Sequence, residues 1–199
     1  YCGGSDPELL SLRRNSKVRK TELWLLENFP WMGKLMLRPY YKEKITSAKE
    51  SIVLVTPYFT PHRWLVLSLH LALARGVSVE IIIPQRTDVG FINFVNHVFV
   101  LSLSKIGVKF YLTKDMIHAK AILVDDRVGM VGSNNINAQS FDFMAEASVS
   151  FEKKEMVRDL KNIIEIWKKD AILFQYNPDS EKWYYKFVER IVKFIQPIL

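Results

Sequence analysis

Two apolar, β-branched runs, SIVLVTPYF (51–59) and VSVEIIIP (77–84), are each followed by a helical pattern that a glycine closes, Gly76 and Gly107. This alternation restricts the chain to few folds. Runs of that length and make-up suit strands buried on both faces. RWLVLSLHLALARG (63–76) and FINFVNHVFVLSLSKIG (91–107) place apolar residues at helical spacing, and a terminal Gly accepts the left-handed cap. Strand–helix–strand units of this kind pair in parallel and pack their helices on the sheet.

Other segments extend the pattern. TELWLLE (21–27) and VKFYL (108–112) read as strands, and MLRPYYKEKITSAKE (36–50) as a helix. HAKAILVD (118–125), VGMVGS (128–133) and AEASVSF (145–151) follow at short intervals and read as a meander. Two helices, 152–174 and 180–199, end the chain. The expected fold class is α/β, a mixed β-sheet flanked by helices on both faces. The opening CGGSDPELLSLRRNSKVRK (2–20) is rich in Gly, Ser, Pro and charge. Residues 1–20 therefore read as a linker or tail of a preceding segment, and 21–199 as one catalytic domain. A start at Tyr1 rather than Met reads as a processed chain or as a fragment of a longer protein.

One stretch does not fit a packed meander. MIHAKAILVDDRVGMVGSNNIN (116–137) carries a His, a Lys two residues on and an Asp five later, then breaks an apolar run with Gly-Ser-Asn-Asn. In a strand, His118 and Lys120 face the same way. Lys120 can neutralise phosphate oxygens, and His118 can serve as nucleophile or proton carrier near neutral pH. Ser133 and Asn135, at the end of the next strand, can donate to the same oxyanion. His-x-Lys-x4-Asp alone should arise by chance in roughly one per cent of chains this size. Gly-Ser-x-Asn a few residues later lowers that by orders of magnitude.

The net charge of +7 and pI near 9.4 favour anionic partners, whether lipid head groups or nucleic acid. The single cysteine, Cys2, excludes an internal disulfide. The longest uncharged run, 89–104, holds Asn93, Asn96 and His97 and falls short of a membrane span.

His118-x-Lys120-x4-Asp125 followed by Gly132-Ser133-x-Asn135 resembles the HKD signature of the phospholipase D superfamily. TPYFTP (56–61), ARGVSVEIIIPQRTD (74–88) and the terminal FIQPIL are similar to the second half of bacterial cardiolipin synthases, so the likeness covers roughly 16–199. It implies that His118 attacks phosphorus to form a phosphohistidine, while Lys120 and Asn135 hold the phosphate oxygens and Ser133 supports the pocket. Asp125 would be the motif's largely structural member, and Glu146 the acid that orients the imidazole. No cofactor and no metal are implied. Asn137 and Gln139 stand where the family often has Asp and Arg, and Met144 or Ala145 where it often has Asn.

Family enzymes pair two such motifs, one His attacking and the other protonating the leaving oxygen. This chain has one motif. His62, His70 and His97 lack a following Lys and Asn, and His70, in an apolar helix, is expected in the core or against a partner. The expected partner is a second HKD half, either in the same full-length chain or in a homodimer. The resemblance implies a phosphatidyltransferase that moves a phosphatidyl group from a phosphatidylglycerol-like anionic phospholipid to a lipid hydroxyl at the bacterial cell membrane. The alternative is a phospholipase D-type phosphodiesterase or nuclease acting as a dimer; a third reading is a degenerate half that only scaffolds its partner. Lipid is favoured over nucleic acid by the apolar 89–104 helix. The last helix points the same way, with Trp183, Phe187, Ile191 and Ile195 along one face and Lys186, Arg190 and Lys193 beside it, the pattern of a membrane-surface helix.

Overall fold

Strands β3 (Ser51–Val55), β5 (Ser78–Pro84) and β6 (Lys109–Thr113) form the parallel centre that the two strand–helix units imply. The computed structural model describes residues 22–177, so the expected linker over 1–20, the helix over 180–199 and its FIQPIL end lie outside the described residues. Antiparallel neighbours complete a nine-stranded mixed sheet in the order β11-β6-β5-β3-β7-β8-β10-β1-β2. These are β1 (Leu23–Phe29), β2 (Lys34–Leu35), β7 (Ala121–Val124), β8 (Val128–Gly132), β10 (Glu146–Phe151) and β11 (Ile172–Leu173). A small parallel pair, β4 (Phe59–Thr60) with β9 (Ile136–Asn137), stands apart from it.

The helices are α1 (Leu37–Ser47), α2 (Arg63–Ala74), α3 (Gly90–Ser104), α4 (Ala138–Asp142) and α5 (Lys154–Lys169). Alternation along the strands sorts side chains between two cores. Ile52, Leu54, Val79, Ile81, Ile122 and Val124 meet Leu37, Tyr41 and Ile45 of α1, Leu65 and Leu69 of α2, and Val95 and Phe99 of α3. Val53, Val55, Ile82, Ala121 and Leu123 meet Val157, Leu160 and Ile164 of α5 on the opposite face. Fully burying side chains of this size stabilises by about 1.5–3 kcal/mol each, so α5 is held by its one apolar stripe. The mixed sheet with helices on both faces is as expected.

Three elements differ from the sequence reading. The helix expected over 152–174 ends at Lys169, and Ile172 and Leu173 pair with Leu112 and Tyr111 as an edge strand. Two residues are too few to display strand periodicity. On α3, Val98 and Leu101 are buried in the core, whereas Phe91 and Phe94 at its start are exposed, so the apolar 89–104 helix divides between core and surface. His70 of α2 is exposed, not a core residue.

Candidate active site

Strand β7 begins at Ala121, so His118 and Lys120 lie in the irregular lead-in rather than within the strand as the sequence suggested. The Gly132 amide nonetheless donates to the Lys120 carbonyl at 3.2 Å, continuing the Ala121–Val131 register beyond the strand. On the other side of β8, the Ser133 amide donates to the Ala147 carbonyl at 3.0 Å. Pairing of β7 with β8 and of β8 with β10 thus gathers Lys120, Ser133 and Glu146 at one end of the sheet. Gly132 is needed for this closeness. A Cβ there would stand 2.0 Å from Ser148 Oγ and 2.7 Å from the Ala147 carbonyl.

Glu146 is only 6% exposed, and a buried carboxylate needs compensation. The Ser133 hydroxyl donates to its Oε2, and the Ala147 amide in turn donates to Ser133 Oγ at 3.1 Å. Lys120 supplies opposite charge. Burial pushes its ammonium pKa down, and the field of Glu146 works against that fall. Lys120 Nζ donates to the His118 carbonyl at 2.8 Å, which holds the cation beside the imidazole's own residue. Asn135 contributes a side-chain oxygen that is buried without a hydrogen-bond partner, while its backbone amide donates to Ser140 Oγ at 3.1 Å. Turning that amide would offer two N–H donors to the same space.

The imidazole of His118 is exposed and touches the edge of the Tyr58 ring, centroids 5.9 Å apart at 79°. The structure therefore brings His118, Lys120, Ser133, Asn135 and Glu146 to one region, but the hydrogen bond to Glu146 comes from Ser133 and not from His118. Asp125 is elsewhere. It lies at the opposite end of β7, at a φ of 52° that Asp tolerates. Its carboxylate accepts from the amides of Lys49 (2.9 Å), Glu50 (2.8 Å) and Ser51 (2.9 Å). Burial raises its pKa, but those amides together with Arg127 outweigh it and hold the acid below its ordinary value. Asp125 ties two loops together and does not face the pocket.

Several residues brace the site in ways the sequence did not signal. Asn134, the spacer of Gly-Ser-x-Asn, is buried; it donates to Tyr41 Oη at 3.0 Å and accepts from Ser148 Oγ at 2.8 Å. Thr56 Oγ1 donates to the Tyr58 carbonyl at 2.9 Å and accepts from the Ile136 amide at 3.3 Å, so TPYFTP is stitched to the strand after Asn135. Asn137, where the family often has Asp, caps α4 by accepting from the Ser140 amide at 2.8 Å. Asn and Asp are equivalent in that role, so this departure leaves the local structure intact. Only spacing could have signalled Asn134 and Thr56, each inside a motif noticed for its neighbours, whereas Asn137 was noticed as a departure and not as a cap. The remaining histidines do not join the site residues: His62 accepts from the Trp64 amide at the start of α2, and His97 lies against Phe174.

Residues 41–167, more than half of the chain, match the family described as "Cardiolipin synthase, PLD-like domain". Cardiolipin synthase A of Buchnera aphidicola is 29% identical over 187 residues, 93% of this chain but 38% of that protein. The major cardiolipin synthase ClsA of Bacillus subtilis is 30% identical over 167 residues, 80% of this chain and 33% of that protein. The chain thus spans well under half the length of these relatives. Among solved structures, the fold superposes on Nuc of Salmonella typhimurium, a phospholipase D family member, with a TM-score of 0.65 and 18% identity, covering 77% of this chain and 97% of that one. Phosphatidylserine synthase of Haemophilus influenzae gives a TM-score of 0.68 at 17% identity, covering 89% of this chain and 48% of that one.

Proposed function

The chain belongs to the phospholipase D-like domain family of the cardiolipin synthases, and from that premise we propose that it is one catalytic half of a phosphatidyltransferase acting at a membrane surface. His118 is the nucleophile. An imidazole nitrogen bonds to phosphorus of a phosphatidylglycerol-like donor while the P–O bond to the departing alcohol breaks. The leaving oxygen takes its proton from the histidine of a second motif. A lipid hydroxyl then forms a new P–O bond as the P–N bond breaks, and its proton returns to that second histidine. Lys120 and the Asn135 amide hold the phosphate oxygens, Ser133 supports the pocket, and Glu146 supplies its buried negative charge. One imidazole cannot attack and protonate the leaving group in the same step, so a partner half is required, in the same protein or in a second copy.

The observation that carries the lipid reading is the rim. Met116 precedes His118 by two residues, Phe143 and Met144 lead into Glu146, and Val89, Phe91 and Phe94 follow the loop that reaches Tyr58. All are exposed. Three separate segments, each close in sequence to a site residue or to Asp88, which Tyr58 binds, present exposed apolar side chains, which suits a bilayer surface and not a polyanion. Among the described residues no helix is long and apolar enough to cross a membrane. A dimeric phosphodiesterase is the second reading. It is favoured by the coverage of nearly all of one single-unit structure, 97% of Nuc, beside 48% of the phosphatidylserine synthase.

The test is chemical. The assembled enzyme, supplied with a labelled phosphatidyl donor and quenched at alkaline pH, should yield an acid-labile adduct on His118, and His118→Asn should abolish turnover while still binding donor vesicles. An adduct confined to the other half would make His118 the general acid. No adduct, with an active His118→Asn variant, would end the phosphohistidine reading.

A further inference from the structure

The loop between β5 and α3 is braced more than an ordinary surface connection. Asn93 Oδ1 accepts from the Thr87 amide at 2.6 Å, Asn93 Nδ2 donates to the Thr87 carbonyl at 3.1 Å, and the Thr87 hydroxyl donates to the Val89 carbonyl at 3.0 Å. Asp88, between the two tied residues, is itself exposed. Its Oδ1 accepts from the Tyr58 hydroxyl at 2.6 Å, and Tyr58 is the residue whose ring lies against His118. That bond also raises the phenol's pKa, so Tyr58 remains a donor. Among the described residues, nothing else donates to the Asp88 carboxylate. A fixed, solvent-facing carboxylate thus stands one aromatic ring and one hydrogen bond from the attacking imidazole. A phosphate site gains nothing from an extra negative charge, since it would repel the donor. A hydroxyl-bearing ligand does gain, because a carboxylate is a strong acceptor for O–H.

Building on the transferase reading above, we propose that Asp88, held by Tyr58, forms the acceptor-alcohol subsite: its carboxylate takes a hydrogen bond from one hydroxyl of a polyol head group while another hydroxyl reacts at phosphorus. Asp88 removes no proton from the reacting oxygen. It selects and orients a polyol over water and over monohydric alcohols, which lack the second hydroxyl. The exposed Val89, Phe91 and Phe94 immediately after it place this subsite where the head group of a membrane-bound acceptor would lie.

The assembled enzyme is incubated with phosphatidylglycerol vesicles and equal concentrations of isotope-labelled glycerol and 1-propanol, and both phosphatidyl products are counted by mass spectrometry. The wild-type protein should favour glycerol, and Asp88→Asn should lower the glycerol-to-propanol ratio about tenfold, as expected when the acceptor of a charge-assisted hydrogen bond becomes neutral. Tyr58→Phe keeps the ring against His118 but frees the carboxylate, and should lower the ratio as well. A ratio unchanged in both variants, with the two products falling together, would reduce Asp88 and Tyr58 to structural supports and overturn the subsite. Absence of both phosphatidyl products from the wild-type enzyme would instead overturn the transferase reading, and this inference with it.

Discussion

Replacing Gly132 with Ala tests the reason given for the pocket's shape. The added Cβ would stand 2.0 Å from Ser148 Oγ, 2.5 Å from Ser148 Cβ and 2.7 Å from the Ala147 carbonyl oxygen. Ordinary contact begins near 3.4 Å, so Ser148 Oγ must rotate away, and β8 and β10 must still separate by most of an ångström, because rotation moves neither Ser148 Cβ nor the Ala147 carbonyl. Overpacking of this kind costs about 1–3 kcal/mol. Rotating Ser148 also breaks its 2.8 Å bond to Asn134, for about 1 kcal/mol more. The sum, about 2–4 kcal/mol, is a large share of a domain's typical stability of 5–15 kcal/mol. It should lower the melting temperature by roughly 4–16 °C for a chain of this length. Ser148→Gly added to Gly132→Ala should recover part of the loss, because it clears the nearest atoms but not the Ala147 carbonyl. Denaturant titration of the two single variants and the double variant gives the coupling energy directly. A Gly132→Ala protein that unfolds at the wild-type midpoint, or effects that simply add, would refute the steric account.

Two further outcomes follow from the charges. Asp125→Asn should keep the left-handed turn but lose the charge that three backbone amides hold. Because the folded pKa of Asp125 lies below its unfolded value, the stability it contributes is present above about pH 4 and disappears as pH falls through the folded pKa. The variant should therefore be less stable than wild type at pH 7 and converge with it in strong acid, as urea unfolding at both pH values would reveal. Glu146→Gln should lower kcat while changing KM little, since an amide can still accept from Ser133 but cannot balance the charge of Lys120 or of an imidazolium; an unchanged kcat would leave Glu146 a strand residue only.

What could be read from sequence was whatever repeats at short range. The runs at 51–59 and 77–84 announced strands because both their faces are buried, α1 and α5 announced themselves by a single apolar stripe, and α2 by an apolar run that Gly76 closes. The site residues His118, Lys120, Ser133 and Asn135 were visible because their spacing is rigid. Long-range pairing left no local trace. Nothing near Asp125 points to the amides of Lys49, Glu50 and Ser51, 74–76 residues earlier. Likewise β1, first in the chain, pairs with β10 near the far edge of the sheet, an order that hydropathy cannot encode. Asn134 was passed over because a buried amide inside a glycine-rich turn looks like a spacer until Tyr41 and Ser148 are seen on either side of it.

An anion entering the site would balance its electrostatics. Burial lowers the Lys120 pKa, and Glu146, itself buried, opposes that fall. With Glu146 buried and Lys120 half-buried, desolvation offsets much of their attraction, and the two charges contribute little net stability. Asn135 adds a buried oxygen with no partner, a further cost of order 1–3 kcal/mol. Yet the fold spends structure on holding these groups: Asn134 and Gly132 fix the turn, Thr56 ties it to β4, and Asn137 caps the helix that follows. A phosphate changes the balance. Its oxygens would face Lys120 as a second source of negative charge, raising the ammonium pKa toward its ordinary value, and would accept from the Asn135 amide once it turns. The frustration is local, sits on motif residues, and is relieved by the ligand class that the motif implies, which is the pattern expected of a binding site.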